Sequence, residues 1–392
     1  MPRTFLAFSI SALVSASATA LDWSASLHAS LENMSPQQGY FFPETNNDLK
    51  QVSAELGLSY AGLSGVATAR KQWLATKQED DLILNELYID KSVWAWDFTI
   101  GKKRLDWGVG YSYRPLDIIQ SYISQPTGIT VEEGAWIASA EYFTDTGVLS
   151  FLAANSKTQQ ESNAPTRKGA GVRYYALVGD WDVQALAYYD DVREGLIGGS
   201  MVTVIGDALS FHTSATLQRK YNELQHHFSK EHQPFPGNPV YHQVGKNAAQ
   251  FLSGLTYNFS NNVSLLVEYW FDERSPTNSQ WETLIATGNA LHSGQDLYGN
   301  LTASQNFFTS QNLVRHNLLL HTRYEWERWD PVMDVVLSPE DGGIITTGRI
   351  RHTWAGGLWI EAGGRWFGGS NDSVFSQLPD EQVLFSLISY PF

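Results

Sequence analysis

The sequence predicts an all-β fold, a transmembrane, antiparallel, up-and-down β-barrel of about 18 strands with short turns at one end and long loops at the other. Three observations carry this prediction. The 392-residue chain contains 14 Trp, 18 Tyr and 19 Phe, which favour strands. Apolar and polar residues alternate over segments of about 9–12 residues. Short and long connections between these segments then alternate along the chain, so that one end of the sheet collects tight turns.

The first twenty residues, MPRTFLAFSISALVSASATA, predict a secretory signal peptide over 1–20, which leaves 21–392 as the barrel. Arg3 supplies a positive charge, an apolar run follows, and small residues precede Leu21. The run is too short for a membrane helix, which needs about 20 apolar residues. The chain contains no cysteine, whereas small secreted domains usually depend on disulfides. We therefore expect a large exported protein that is stable without them.

Charge excludes one broad class of partner. The chain carries 26 Lys and Arg against 41 Asp and Glu, a net charge of −15, which argues against a nucleic-acid-binding surface. The sequence shows no phosphate-cradling loop and no dinucleotide fingerprint. Four histidines lie in segment 219–247, but no spacing there fixes a metal geometry. We predict no cofactor and no metal.

The strands follow period-two alternation between turn residues. The predicted strands are 23–33, 51–60, 63–73, 84–92, 95–103, 133–144, 147–155, 168–178, 180–190, 195–205, 208–218, 248–258, 262–272, 312–324, 331–338, 343–353, 356–367 and 382–392. The predicted long connections are 34–50, 74–83, 104–132, 156–167, 219–247, 273–311 and 368–381. In an up-and-down sheet alternate connections lie at the same edge, so this pattern is typical of a membrane barrel. A β-sandwich or a propeller does not require it.

The two faces of the predicted strands suit different solvents. Trp94, Trp96 and Phe98 share one face, whereas Asp97 and Thr99 lie on the other. An Arg or Lys facing lipid near the midplane costs about 2–4 kcal/mol, so the charged faces are predicted to line the lumen. Tryptophans near strand ends suit the aromatic girdles of a barrel; these are Trp73, Trp94, Trp136, Trp181, Trp270, Trp326, Trp329, Trp354 and Trp366.

The last predicted strand, QVLFSLISYPF, places Leu384, Ile388, Tyr390 and Phe392 at alternate positions. This pattern resembles the terminal strand signal of Gram-negative outer-membrane proteins. The resemblance implies recognition by the barrel-assembly machinery and a location in the outer membrane. It also implies that the short turns are periplasmic and the long loops extracellular.

A second stretch, GKKRLDWGVGYSYRPLDIIQ at 101–120, resembles a segment of porin-like outer-membrane proteins, in which Gly-Lys/Arg leads into Trp-Gly-x-Gly and Pro-x-Asp. Gly108 and Gly110 permit bends and close approach to a wall, and Pro115 fixes one backbone angle. The hypothesis is that loop 104–132 folds into the bore and turns Arg114 and Asp117 toward the pore. The alternative is an ordinary surface loop.

Charged residues on the inward faces predict the pore lining. The basic members are Arg70, Lys103, Arg114, Arg315, Arg323, Arg349, Arg351 and Arg365, and the acidic members are Glu86, Asp90, Asp97, Asp117, Glu268 and Glu361. Opposed basic and acidic walls would set a transverse field across a narrow pore. In the alternative interpretation these residues only pair across neighbouring strands and fill the lumen. Either arrangement is compatible with a channel.

The function predicted from these features is a porin-like channel for passive diffusion of small hydrophilic solutes, since barrels of 16–18 strands enclose an aqueous bore. It is not predicted to be an enzyme. Its expected partners are outer-membrane lipid, the assembly machinery and a small hydrophilic solute or a polysaccharide; a homo-trimer and a monomer are both compatible with this strand pattern. One alternative is a barrel that exports or assembles an anionic polysaccharide along its arginines. Another is an outer-membrane hydrolase, for which Ser210, His212 and Ser214 share a strand face but lack the other parts of a catalytic site.

Overall fold

The computed structural model describes residues 21–45, 47–75, 77–120, 131–157, 166–310 and 312–392; the predicted signal peptide lies outside these ranges. Period-two alternation produces a strand at each of the 18 predicted positions. The strands are β1 (Asp22–Pro36), β2 (Leu49–Tyr60), β3 (Leu63–Leu74), β4 (Gln78–Val93), β5 (Trp96–Lys103), β6 (Ala135–Phe143), β7 (Gly147–Lys157), β8 (Thr166–Val178), β9 (Trp181–Asp190), β10 (Leu196–Ile205), β11 (Leu209–His226), β12 (Val240–Asn258), β13 (Val263–Asp272), β14 (His316–Tyr324), β15 (Trp329–Leu337), β16 (Ile344–Thr353), β17 (Trp359–Gly368) and β18 (Asp380–Pro391).

Each strand pairs antiparallel with its sequence neighbours, and β1 also pairs with β18, which closes the sheet. The closing register sets Ala29 opposite Ile388, and the backbone N–H of Phe392 donates to the Ala25 carbonyl at 2.8 Å. Because closure leaves no edge strand, every strand is hydrogen-bonded to a neighbour on both sides. The predicted up-and-down barrel is confirmed.

The two ends of the barrel differ in their connections. The short-turn end carries 61–62, 94–95, 144–146, 179–180, 206–208, 259–262, 325–328 and 354–358. The long-loop end carries, among others, 37–48, 104–134, 227–239, 273–315 and 369–379. The connection 273–315 contains helix α1 (Asn278–Ser293) and the short helix α2 (Asn300–Ser304). Thr277 caps α1 through a reciprocal capping box with Gln280.

Two boundary predictions are wrong. The predicted long connection 74–83 is reduced to 75–77, because β4 begins at Gln78 and pairs with Trp73. The predicted loop 219–247 is mostly strand, since the β11–β12 ladder continues to the pair His226↔Val240. The side chains of this extended hairpin pack against other connections, so the part that projects past the ends of the neighbouring strands has tertiary contacts of its own.

Outward and inward side chains separate as predicted. Eight of the nine tryptophans assigned to girdles are among the exposed large apolar residues, and Trp94 in a short turn is 98% exposed. The assignment of Trp270 is wrong: its side chain is 5% exposed and stacks on Tyr113 inside the barrel, with ring centroids 6.0 Å apart. The residue shares its face with inward-facing Glu268 and Asp272, a parity that the sequence already contained.

Connections at the long-loop end pack together into an apolar cluster, which we call the aromatic cap. Its buried members are Phe41, Leu224, Phe228, Val240, Trp281, Leu284, Ile285, Leu291, Phe307, Val314, Val374 and Phe375. Trp281 of α1 lies at its centre, donating Nε1–H to the Leu313 carbonyl at 2.6 Å and contacting the Phe307 ring edge-on. The cap therefore joins the connection that contains α1 to three others, 37–48, 227–239 and 369–379, at one mouth of the barrel.

Among the helices of the described ranges, none is both long and apolar enough to cross a membrane.

Candidate pore constriction

Residues 104–120, which follow β5, form what we call the constriction loop. Its shape is fixed internally by Asp117, whose Oδ1 accepts the backbone N–H groups of Trp107 at 2.9 Å and Gly108 at 2.7 Å. Arg114 donates to Asp106 and pairs with Asp117 at 3.0 Å. The two predicted charges thus bind each other inside the loop, with the Asp117 side chain 4% exposed.

Burial raises the pKa of Asp117 to about 6, while the charge of Arg114 and the two backbone N–H groups oppose that rise. The carboxyl group therefore titrates close to neutral pH. Since it holds both limbs of the loop, its protonation state is coupled to the shape of the constriction.

One side of the loop lies against β12–β14. Glu268 accepts the backbone N–H groups of Tyr111 at 2.6 Å and Ser112 at 2.9 Å. The Tyr113 hydroxyl donates to Asp272 at 3.0 Å. Glu268 faces inward but is 0% exposed, because the loop covers it. Backbone hydrogen bonds to a buried carboxylate are among the stronger contacts in a protein, so this contact anchors the loop tip.

Gly110 shows why the loop fits so closely to this wall. A Cβ at this position would lie 2.4 Å from Leu252 Cδ2 on β12 and 2.0 Å from the Tyr113 carbonyl oxygen. Any larger residue would displace the backbone from the wall. The close approach predicted for this glycine is therefore present.

The other side of the loop lies against β6–β10. The carbonyl of Ile118 accepts from Arg167 at 2.9 Å and from Arg193 at 3.0 Å. Gln184 donates to the Trp107 carbonyl at 2.6 Å. Apolar packing completes the contact; the buried members are Leu116, Ile118, Ile119, Ala135, Ile137, Leu152, Ala154, Leu186, Tyr188 and Leu196. The described part of the 104–132 segment thus folds inward, as the hypothesis required; residues 121–130 lie outside the described ranges.

We call β6–β14 the covered arc, because the loop lies against inward residues of these strands. The remaining wall, β15–β18 and β1–β5, is the uncovered arc. On this arc, Arg349 donates to the Tyr111 hydroxyl of the loop tip at 3.5 Å. The Tyr111 ring also lies 4.4 Å from the ring of His321 on β14. The tip therefore reaches the boundary between the two arcs.

Most of the predicted lining residues on the uncovered arc pair with neighbouring strands. Arg351 lies 2.9 Å from Glu361, and Arg349 lies 3.9 Å from the same carboxylate. Arg365 donates to the Thr347 hydroxyl at 3.2 Å. These contacts agree with the interpretation in which inward charges pair across the ladder.

A second charged group lies on β3–β5. Arg70 pairs with Asp81 at 2.6 Å, and Lys103 pairs with Asp90 at 3.2 Å. Glu86 accepts the backbone N–H of Arg104 at 2.8 Å, at the point where the constriction loop leaves β5.

The remaining predicted residues lie near the two ends of the barrel. Arg315 precedes β14 and donates to the Ser275 carbonyl at 2.9 Å, at the long-loop end. Arg323 pairs with Asp330 at 2.6 Å near the short-turn end. Asp97, also near that end, stands opposite Glu141 in the β5–β6 ladder.

Sequence reasoning missed the arginines that hold the loop. Arg167 and Arg173 lie on the inward face of β8, and Arg173 packs over the Trp107 ring at 5.4 Å while donating to Gln184 at 2.7 Å. Because Arg167 and Arg173 are separated by an even number of residues in one predicted strand, the alternation already placed them on the same face. Arg193 lies between β9 and β10, outside any alternating segment, and carried no such signal.

Among the candidate hydrolase residues, His212 has a structural partner. His212 Nε2 lies 2.8 Å from Glu268, which in turn holds the loop backbone. The carboxylate that would orient this histidine is therefore engaged with Tyr111 and Ser112. The arrangement stabilises the constriction.

The assembly-signal residues Leu384, Ile388 and Tyr390 lie on the outward face of β18, and Phe392 directly follows the strand; all four are between 41% and 61% exposed. Their alternation is thus a lipid-facing one. Recognition by the assembly machinery stays a prediction.

No protein-family model matches the sequence, and no curated protein matches it significantly. Solved structures do resemble the fold. OccAB1 of Acinetobacter baumannii superposes with a TM-score of 0.59 at 9% identity, covering 95% of this chain and 96% of that one. For OccK3 (OpdO) of Pseudomonas aeruginosa the TM-score is 0.55 at 10% identity, with coverages of 95% and 96%. For OccK5 (OpdH) of the same organism it is 0.54 at 11% identity, with coverages of 95% and 98%. The chain therefore has the fold of bacterial outer-membrane porins.

Proposed function

We propose that the protein is a porin-like channel of the outer membrane through which small hydrophilic solutes diffuse passively. The long-loop end faces the exterior and the short-turn end faces the periplasm. The fold shared with the Occ proteins and the separation of exposed apolar from inward polar residues support this placement. A barrel of 18 strands has room for an aqueous bore once its lining side chains are in place.

The observation that carries the proposal is the constriction loop. Glu268 accepts a backbone N–H of the loop, and Arg167, Arg193 and Gln184 donate to its carbonyls, which holds the backbone against the covered arc. The loop therefore narrows the lumen from one side and leaves the charged side chains of the uncovered arc facing the remaining space. A fixed constriction with charges on one side limits solutes by size and by charge distribution.

Further features favour small solutes over a polymer. The aromatic cap packs four connections, including the one that contains α1, at the long-loop end, and the constriction loop lies inside the barrel. A polysaccharide chain would have to displace both. The inward charges are also balanced by neighbours, which suits polar solutes of either sign.

The test is conductance in planar lipid bilayers. Folded protein, verified by its altered mobility in SDS gels before and after boiling, is expected to insert in steps of uniform conductance. Liposomes that contain the protein should swell in sugar solutions, and the swelling rate should fall as the size of the sugar increases. A folded barrel that inserts without conducting would overturn the proposal, and ester or peptide hydrolysis by such a barrel would favour an enzyme.

A further inference from the structure

Asp272, the last residue of β13, holds two segments that come from different parts of the chain. The Tyr113 hydroxyl of the constriction loop donates to Asp272 Oδ2 at 3.0 Å. From the connection 273–315, Asn312 Nδ2 donates to the same oxygen at 2.7 Å. Asp272 is 1% exposed. One buried oxygen atom therefore contacts both the constriction loop and the connection that carries α1.

The surroundings of Asp272 make its two contacts depend on each other. Arg274 donates to Oδ1 at 2.9 Å and to Oδ2 at 2.8 Å, and Gln250 on β12 donates to the Tyr113 hydroxyl. Hydrogen bonds are stronger where water is excluded, and each member of a buried network supports the others. Withdrawal of Asn312 would admit water to Oδ2, and that water would compete with the Tyr113 hydroxyl.

A short segment that begins at Asn312 joins Asp272 to the aromatic cap. Its second residue, Leu313, accepts the Nε1–H of Trp281 through its carbonyl at 2.6 Å, and Trp281 is 1% exposed at the centre of the cap. Its last residue, Arg315, accepts the backbone N–H of Asp272 at 2.9 Å. Because Leu313 and Asn312 are adjacent in the chain, a displacement of Trp281 pulls directly on the contact with Asp272.

The cap itself is held from nearly opposite sides of the barrel. Phe41 comes from the β1–β2 connection and Phe228 from the β11–β12 connection, with ten strands between them on one side of the ring and eight on the other. The fit to α1 is tight, since a Cβ at Gly288 would lie 2.4 Å from Phe41 Cζ. Close-packed side chains transmit a displacement because they have little room to absorb it.

We propose that the connection 273–315 regulates the constriction: a contact at the long-loop end that shifts α1 loosens Tyr113 from Asp272 and lets the constriction loop move away from the covered arc. The inference rests on the proposed channel function. The element with two positions is the constriction loop, held or released. Glu268 still binds the loop tip in the released position, so the change is smaller than that caused by loss of Glu268 itself.

The test is a double-mutant cycle recorded in planar bilayers. Trp281→Phe keeps an aromatic ring in the cap and removes the donor to Leu313, and Asn312→Ala removes the donor to Asp272. Each single variant should raise the fraction of time spent in fluctuating open levels roughly fivefold. The double variant should exceed neither, since both changes break one link. Trp366→Phe, the same change on the outward face of β17, is the matched control and should behave as the parent.

Coupling is reciprocal, so a change inside the barrel should be detected outside it. The chain has no cysteine, and a nitroxide attached to Ala290→Cys, on the exposed side of α1, reports the mobility of the helix. Tyr113→Phe, which removes only the hydroxyl that donates to Asp272, should increase the mobile fraction of the label.

Parent-level fluctuations in folded Trp281→Phe, or single effects that simply add in the double variant, would overturn the inference. If Trp281→Phe does not fold, the label decides: unchanged mobility in Tyr113→Phe rejects the coupling. A barrel that conducts without this coupling removes the inference alone, whereas a folded barrel that inserts and never conducts removes the proposed channel.

Discussion

The covered and uncovered arcs are built from the same alternating strands, yet they use their inward polar residues differently. On the covered arc, Glu268, Gln184 and Arg167 bind the backbone of the constriction loop. On the uncovered arc, Arg351, Arg70 and Lys103 pair with carboxylates of adjacent strands. Inward polarity alone therefore does not identify a pore-lining residue. What decides is whether another segment lies over it.

The largest effect on channel properties is expected from removing the carboxylate of the covered arc that anchors the constriction loop. Glu268→Ala deletes a carboxylate that accepts two backbone N–H groups of the loop tip. Each such charged hydrogen bond contributes roughly 1.5–3 kcal/mol, so the loop should leave its position and unit conductance should rise severalfold with added open-channel noise. Planar bilayer recording measures both quantities.

Glu141→Ala is the control for this experiment. Glu141 accepts a hydrogen bond from Ser150 at 2.9 Å between β6 and β7, near the short-turn end. The unit conductance of the Glu141→Ala channel should stay near that of the parent protein. An unchanged conductance in Glu268→Ala would show that the loop keeps its position without the anchor.

The second-largest effect is expected on ion selectivity, when arginines of the uncovered arc are neutralised. Arg349→Gln/Arg351→Gln removes two inward cations and leaves Glu361 without both of its partners. The local field becomes more negative, so the reversal potential in a salt gradient should shift toward cation preference. The outward pair Arg219→Gln/Lys168→Gln removes the same charge from the opposite surface and should shift it far less. Equal shifts would place the two arginines outside the conducting path.

Titration of Asp117 gives the smallest effect, and its sign is fixed. Because the pKa of Asp117 is raised to about 6 in the folded loop, its contribution favours the folded loop at low pH. That contribution is lost as the pH rises through about 6, and amounts to at most about 3 kcal/mol. Open-channel noise should therefore be lower at pH 5 than at pH 7.5.

Asp117→Asn should remove this pH dependence, whereas Asp106→Asn should keep it. Asp106 also contacts Arg114 but is 73% exposed. Noise that changes with pH to the same extent in Asp117→Asn would assign the titration to another group.

The sequence carried enough information to predict every strand, because burial of one face and exposure of the other imposes a strict period of two. The same signal assigned Glu268 to the inward face. It did not reveal that Glu268 is buried, since this depends on where Tyr111 and Ser112 lie, more than 150 residues away in the chain. Arg193 was missed for a related reason: it lies in a connection, where no period applies. Loop paths depend on long-range contacts that alternation does not encode.

The pairing of β1 with β18 has a kinetic consequence. Every other ladder joins strands that follow one another in sequence, whereas this seam brings Ala29 opposite Ile388. Its closure entropy is that of nearly the entire chain, so hairpins with local contacts are expected to form earlier. Pairing of β1 with β18 is therefore expected to be the last step of barrel closure. Until then, each of these strands has one edge with unpaired backbone N–H and C=O groups, which are available to proteins that assist folding.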